Sequence, residues 1–191
     1  DLKVTPQQHV DKLHQRFKEL WVKLNISNSD FIRTTEERHK VLVCDILQNL
    51  FDKDEIYSDS YQGWYCTPCE RFWTEKDLQE GNCPECNREV EKIEEHNYFF
   101  RMGKYQEWLV EKIKNDPYFI LPSSRRNEVL GFLEQPLEDL CISRPKSRLP
   151  WGIPLPFDKD YVTYVWFDAL INYISIHGSL DEIKASGFWP A

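Results

Sequence analysis

The chain has 191 residues, room for one domain with a sizeable core or a domain with a small appendage. Its 24 Lys and Arg against 32 Asp and Glu leave a net charge of −8, which excludes a uniformly basic nucleic-acid coat but not a local basic patch. Hydrophobic residues at 41% argue against wholesale disorder, no apolar run is long enough to cross a bilayer, and the 7 glycines form neither G-x-x-x-x-G-K nor G-x-G-x-x-G.

The first element predicted is a helix. Thr5 suits the N-cap and Pro6 the first helical position. Val10, Leu13, Phe17, Leu20, Trp21 and Leu24 then recur at helical spacing and make one apolar face. Asn25 to Asp30 is a turn-rich break, and Phe31-Ile32-Arg33 reads as short and extended. Thr34 with Glu37 three residues on is a capping-box signal for a second helix, with Val43, Leu47 and Leu50 inward. From Tyr61 to Glu91 the chain is polar, rich in turns, and too poor in aliphatic residues to build its own core. Helical pattern returns near Lys104 with Tyr105, Leu109 and Ile113 on one side, and Asp116-Pro117 and Leu121-Pro122 interrupt it. Ser123 or Ser124 can cap a further helix that stops before Pro136. Arg144 to Pro156 reads as a loop fixed by four prolines. Tyr161 to Trp166 reads as a strand, and Asp168 can cap a last helix ending around Gly178.

Cys66, Cys69, Cys83 and Cys86 make C-x2-C-x13-C-x2-C. A two-residue gap lets both thiolates of one turn face one ion, and two such turns brought together by a short hairpin supply a tetrahedral sulfur cage. A closed set of four thiolates suits structural zinc, whose binding energy becomes folding energy for a segment without a core. Two disulfides, four idle thiols, and iron in a rubredoxin-like site are the alternatives that spacing alone leaves open. Cys44 and Cys141 lie outside the pattern and read as buried small apolar residues.

The segment Tyr164 to Tyr173 is the second informative one. Trp166 is placed at the carboxyl end of a strand, where open α/β sheets bind ligands, with Ala169, Leu170 and Tyr173 on one face of the following helix. Such a set could line a slender apolar pocket suited to a thioether, although on spacing alone ordinary core is the stronger reading. The five histidines, His9, His14, His39, His96 and His177, form no metal-ligand or nucleophile pattern and read as structural or surface groups. Arg144, Lys146 and Arg148 place three positive charges in one loop, which could meet a phosphate or simply be solvated.

Taken together, these residues resemble the middle of the methionyl-tRNA synthetase family of class I aminoacyl-tRNA synthetases. The resemblance rests on Phe31-Ile32-Arg33-Thr34-Thr35, Gly63-Trp64-Tyr65-Cys66 with Cys69-Glu70, Cys83-Pro84-Glu85-Cys86, and Asn97-Tyr98-Phe99-Phe100-Arg101. It continues through Ile142-Ser143-Arg144, Trp151-Gly152-Ile153-Pro154 and Tyr164-Val165-Trp166-Phe167-Asp168-Ala169-Leu170, all in the family's order. It is similar to the bacterial and organellar branch with a single zinc knuckle. The fold it implies is α/β: part of a Rossmann-like class I catalytic domain interrupted by a zinc-knuckle connective-peptide insertion. Residues 1–57 would close the first half, 58–143 would be the insertion with its knuckle at about 61–91, and 144–191 would begin the second half.

The resemblance also implies roles. Trp166, Ala169, Leu170 and Tyr173 match the family's methionine-side-chain pocket, which reverses the core reading; Leu170 stands where some members carry proline. Arg144 matches an arginine that supports the active site, Leu140 stands where some relatives carry Trp, and Cys66, Cys69, Cys83 and Cys86 match the ligands of one structural zinc. The family uses methionine and ATP with magnesium to form methionyl-adenylate, then charges tRNA(Met), whose acceptor end the insertion is expected to approach. A cytoplasmic or organellar protein with no membrane partner is expected. The family's His-Ile-Gly-His-like and Lys-Met-Ser-Lys-Ser-like signatures do not occur, nor does its carboxylate for the substrate amino group, so no catalytic residue is assigned. The chain therefore reads as a segment of a larger ligase, inactive alone and partnered by the remaining halves of the same polypeptide, with exposed apolar edges and dimer contacts expected. A free-standing zinc-ribbon module for RNA or protein, and an iron-binding electron carrier, are the alternatives.

Overall fold

The computed structural model describes residues 3–69 and 71–187, without the side chain of Tyr61. It divides into two compact units. One runs through Lys53 and resumes at Ser143; the other is Asp54–Ile142.

The first unit opens with helix α1, Pro6–Lys23. Thr5 caps it as expected: its Oγ1 accepts from the Gln8 backbone N–H at 3.2 Å, and Gln8 Oε1 accepts from the Thr5 N–H at 3.0 Å. The apolar stripe of α1 is not buried, however, and Phe17, Leu20 and Leu24 are exposed. Phe31 lies outside any strand and packs against Trp21, with ring centroids 4.5 Å apart, and edge-on to His14.

Helix α2 is Glu37–Asp52, and its N-cap is Glu36 rather than Thr34. Glu36 makes no side-chain cap bond; its carboxylate instead accepts from Arg38 Nε at 2.6 Å. His39, Leu42, Val43 and Leu47 are buried, while Leu50 is half-buried. Strands β5, Ser143–Pro145, and β6, Tyr161–Thr163, pair antiparallel, so Arg144 and Pro145 belong to a sheet and not to the expected loop. Here Gly152 allows a close approach: a Cβ on it would stand 3.0 Å from Val162 Cβ.

Helix α5, Val165–Ser175, starts earlier than expected. The strand stops at Thr163, Tyr164 is the N-cap, and Trp166 sits in the first helical turn. Val165 and Trp166 have strand propensity, but burial of Ile171 and Ser175 on the inward side overrides it. Asp168 does not cap the helix; it lies inside the first turn and turns toward α2. A sixth helix, α6 (Leu180–Ser186), was not expected, although Ser179 and Glu182 form a reciprocal capping box before it. Among the described residues of this unit, the buried aliphatic ones are Leu42, Val43, Leu47, Ile153, Leu155, Val162, Ile171 and Ile183.

The second unit is a four-stranded antiparallel sheet with two helices. Strands β1 (Ile56–Cys66), β2 (Arg71–Trp73), β3 (Glu91–Phe100) and β4 (Leu140–Cys141) lie in the order β2-β1-β3-β4. Ten successive residue pairs, from Ile56↔Phe100 to Tyr65↔Glu91, join β1 to β3, so the polar stretch is carried at the end of a long hairpin. Helix α3 is Gln106–Asn115, with Ile113 fully buried. Helix α4 is Ser123–Phe132, and Pro122, not either serine, is its N-cap. Cys44 and Cys141 are half-buried. No helix among the described residues is long and apolar enough to cross a membrane.

Candidate functional site

The long β1/β3 hairpin ends in a knuckle built by cysteines. Cys66 is the last residue of β1, and its turn leads into β2, where Cys66 pairs with Arg71. The second cysteine turn is closed by the Asn87 N–H donating to Cys83 O at 2.8 Å and the Cys83 N–H donating to Arg88 O at 2.9 Å. Asn87 adopts φ +55°, a left-handed conformation that asparagine tolerates better than most residues. Arg71 joins the two turns through a 2.6 Å ion pair with Glu85, and its guanidinium lies 4.3 Å from the Trp73 ring centroid. Within the described part of residues 61–91, the buried side chains are Tyr65, Cys66 and Cys83, with no aliphatic residue among them.

The four sulfur atoms converge. Sγ atoms of Cys66, Cys69, Cys83 and Cys86 all lie within 4.8 Å of one another. Cys66 and Cys86 are 3.4 Å apart, and Cys69 and Cys83 are 3.8 Å apart. Sulfurs about 2.3 Å from a tetrahedral zinc are about 3.8 Å from each other, so the cluster has the dimensions of such a cage. No disulfide joins any of the six cysteines in the structure. Burial pushes the Cys66 thiol up, and hydrogen bonding with Cys86 pushes Cys69 up. Burial also raises Cys83, but the backbone N–H groups of Cys86 and Glu85, together with hydrogen bonds to the Cys66 and Cys86 side chains, outweigh it and bring that thiol down to about 6. Four thiols so placed can hold a metal ion.

The second candidate set is on α5. Trp166, Ala169, Leu170 and Tyr173 follow one another at i, i+3, i+4 and i+7 and therefore share a face. That face is open: Trp166 is 60% exposed, Leu170 59% and Tyr173 74%. These residues are not core, contrary to what spacing alone suggested. Arg144 is half-buried on β5, where its guanidinium lies 4.1 Å from the Tyr164 ring centroid and donates to Ser143 O at 2.7 Å. Arg148 is exposed and Lys146 is half-buried. Leu140 is half-buried on β4.

The opposite face of α5 holds a cluster that sequence reasoning missed. His39 Nε2 is 2.6 Å from Asp168 Oδ1, and His39 Nδ1 is 2.9 Å from Ser175 Oγ. A signal for it existed. His39, Val43 and Leu47 share one stripe of α2, and Asp168, Ile171 and Ser175 share one stripe of α5. A polar residue on each buried stripe needs a partner, and here each supplies the other.

Comparison with known proteins places this geometry in context. The family model described as tRNA synthetases class I (M) matches residues 1–93 and 87–190. Methionine–tRNA ligases of Clostridium acetobutylicum and Clostridium perfringens are each 49% identical to the chain, over 100% and 98% of it. The chain spans 30% and 29% of their lengths. The solved structure of Mycobacterium tuberculosis methionyl-tRNA synthetase in complex with methionyl-adenylate superposes with a TM-score of 0.84 at 35% identity, covering 99% of this chain and 38% of that one. The α/β fold with its cysteine knuckle is thus the fold of these synthetases, and with a family match running through both units the chain belongs to the class I (M) tRNA synthetases.

Proposed function

We propose that the chain is a segment of a methionine–tRNA ligase, supplying the knuckle-bearing insertion and one wall of the methionine side-chain pocket. The observation that carries this reading is the open face of α5. Two exposed aromatic rings, an exposed apolar side chain and a half-buried alanine are aligned in a chain half identical to methionine–tRNA ligases. Trp166 and Tyr173 would flank the thioether, where sulfur packs well against ring edges. Ala169 leaves depth between them, and Leu170 closes the wall with an apolar side chain.

The parent reaction joins the carboxylate of methionine to the α-phosphate of ATP, with magnesium bound to the nucleotide and pyrophosphate released. The methionyl group then passes from the adenylate to a hydroxyl of the terminal ribose of tRNA(Met), with AMP released. In this segment Arg144, stacked on Tyr164 and tied to Ser143 O, supports the site from β5. Cys66, Cys69, Cys83 and Cys86 would hold one zinc. The ion supplies structure and not catalysis, because four thiolates leave no open coordination position. Held by those four cysteines, it would fix the tip of the β1/β3 hairpin, the part proposed to approach the tRNA acceptor end.

Methionine-dependent pyrophosphate exchange tests the reading. The full-length protein that carries this chain should exchange pyrophosphate with methionine and not with leucine, whereas residues 1–191 alone should not exchange. Exchange by the isolated chain, or indifference of the full-length protein to methionine, overturns it.

A further inference from the structure

The imidazole of His39 has 0% exposure and gives both of its nitrogens to one helix. Asp168 is in the first turn of α5 and Ser175 is its last residue. The two contacts are seven residues apart, about two turns and about 10 Å along the axis. One side chain from α2 therefore holds both ends of α5. An ionised carboxylate only accepts hydrogen bonds, so Nε2–H donates to Asp168. Nδ1 and the Ser175 hydroxyl share the second bond, and Ser175 Oγ also reaches Asn172 O at 3.3 Å.

A hydroxyl, an imidazole and a carboxylate in series is also the layout of a nucleophilic triad. Access excludes that use: Ser175 and His39 both have 0% exposure, so no substrate carbonyl reaches the hydroxyl. Orientation is what the arrangement can supply. The one apolar residue of α5 that is buried is Ile171, and apolar burial is non-directional. Hydrogen bonds have narrow angular preferences, so two of them to one rigid ring fix both the rotation and the height of the helix. A one-residue slip would move the helix about 1.5 Å and turn its side chains through about 100°.

We infer that His39 is a positioning residue for the open face of α5: by clamping Asp168 and Ser175 it sets the direction in which Trp166, Ala169, Leu170 and Tyr173 point. The inference rests on the assignment of that face to the methionine side chain. It gives a role to a histidine that touches no substrate and to a serine and an aspartate that sit behind the pocket wall.

The test uses the full-length protein that carries this chain, with His39→Ala, His39→Gln, Ser175→Ala and Tyr173→Ala, and measures pyrophosphate exchange with methionine and ATP varied separately. His39→Ala should raise the KM for methionine about 10- to 100-fold, in keeping with the cost of a small misplacement at a reacting site, and leave the KM for ATP within about twofold. His39→Gln should recover much of the loss, because its amide nitrogen can still donate to Asp168. Ser175→Ala removes a single hydroxyl and should raise the KM for methionine in the same direction, which keeps the test available if His39→Ala does not fold. A merely structural role would lower the active fraction, and hence kcat, with both KM values unchanged in all three; that pattern overturns the inference. If Tyr173→Ala raises the KM for methionine and the His39 and Ser175 variants do not, only the positioning role fails. If Tyr173→Ala also leaves it unchanged, the pocket assignment fails as well.

Discussion

The buried imidazole of His39 meets the carboxylate of Asp168 at 2.6 Å across 129 positions of sequence, joining α2 to α5 inside one unit. Asp168 is 18% exposed at its side chain, so water compensates poorly for loss of the ring. A hydrogen bond to a charged group contributes about 1.5–3 kcal/mol, and a partly buried carboxylate left without its partner adds some desolvation cost. His39→Ala should therefore lower unfolding stability by about 2–4 kcal/mol. A double-mutant cycle with Asp168→Asn, read by urea denaturation, should give a coupling of about 1–3 kcal/mol. A coupling near zero would mean that the contact carries no stability.

Metal removal should act locally. The knuckle buries cysteines and one tyrosine where a larger segment would bury aliphatic side chains, so its order depends on the ion. Metal analysis should find one zinc per chain in a colourless protein, and absorption from iron would overturn that assignment. Chelation or Cys86→Ser should abolish amide protection from Trp64 to Glu91. Amides of α2, whose core residues Val43 and Leu47 are fully buried, should keep theirs. Protection that survives chelation around Cys83 would show that the hairpin holds itself together.

The face of α5 permits a clean separation of stability from binding. Trp166 and Tyr173 are mostly exposed, and truncating an exposed side chain usually changes stability by no more than about 0.5 kcal/mol. Loss of an aromatic wall should cost about 1–3 kcal/mol of methionine affinity, roughly 5- to 150-fold. Trp166→Ala and Tyr173→Ala should thus unfold near the wild-type midpoint and yet bind methionine far more weakly in the full-length protein, as measured by calorimetry. Equal losses in both quantities would return these residues to the core.

Much of this was legible in the residues. Thr5 and Gln8 carry a local capping signal, and local signals survive into the structure because they involve neighbours along the chain. The C-x2-C pairs were legible for the same reason. The long hairpin was not, because β3 alternates without being apolar. Its buried positions include Glu95 and Asn97, and Asn97 Nδ2 donates to Glu95 Oε1 at 3.0 Å. A period-two pattern whose inward side is polar leaves no hydrophobic trace. The start of α5 was misplaced because Val165 and Trp166 favour strands, and their helical state is decided by partners on α2 far away in sequence. The apolar face of α1 was legible from its spacing and is half open in the structure, since an amphipathic pattern predicts that a face can be covered and says nothing of what covers it.

Asp30 supplies a pH-dependent test of the turn before α2. Its carboxylate accepts from Arg38 Nη1 at 2.5 Å, from Arg38 Nη2 at 3.0 Å and from the Phe31 N–H at 2.6 Å. The Arg38 fork, and after it the Phe31 N–H, hold the carboxyl down at about 2. In the unfolded chain an aspartate titrates near 3.9. The folded value is the lower one, so the charged form stabilises the fold, fully above about pH 4 and progressively less as pH falls toward about 2. The pair is exposed, so high salt should weaken the effect. Asp30→Asn should accordingly be less stable than the wild type at pH 6, with the gap closing between about pH 4 and about pH 2. A side-chain carboxyl titration by NMR that places Asp30 at its ordinary value would remove the Arg38 clamp as the anchor of Phe31.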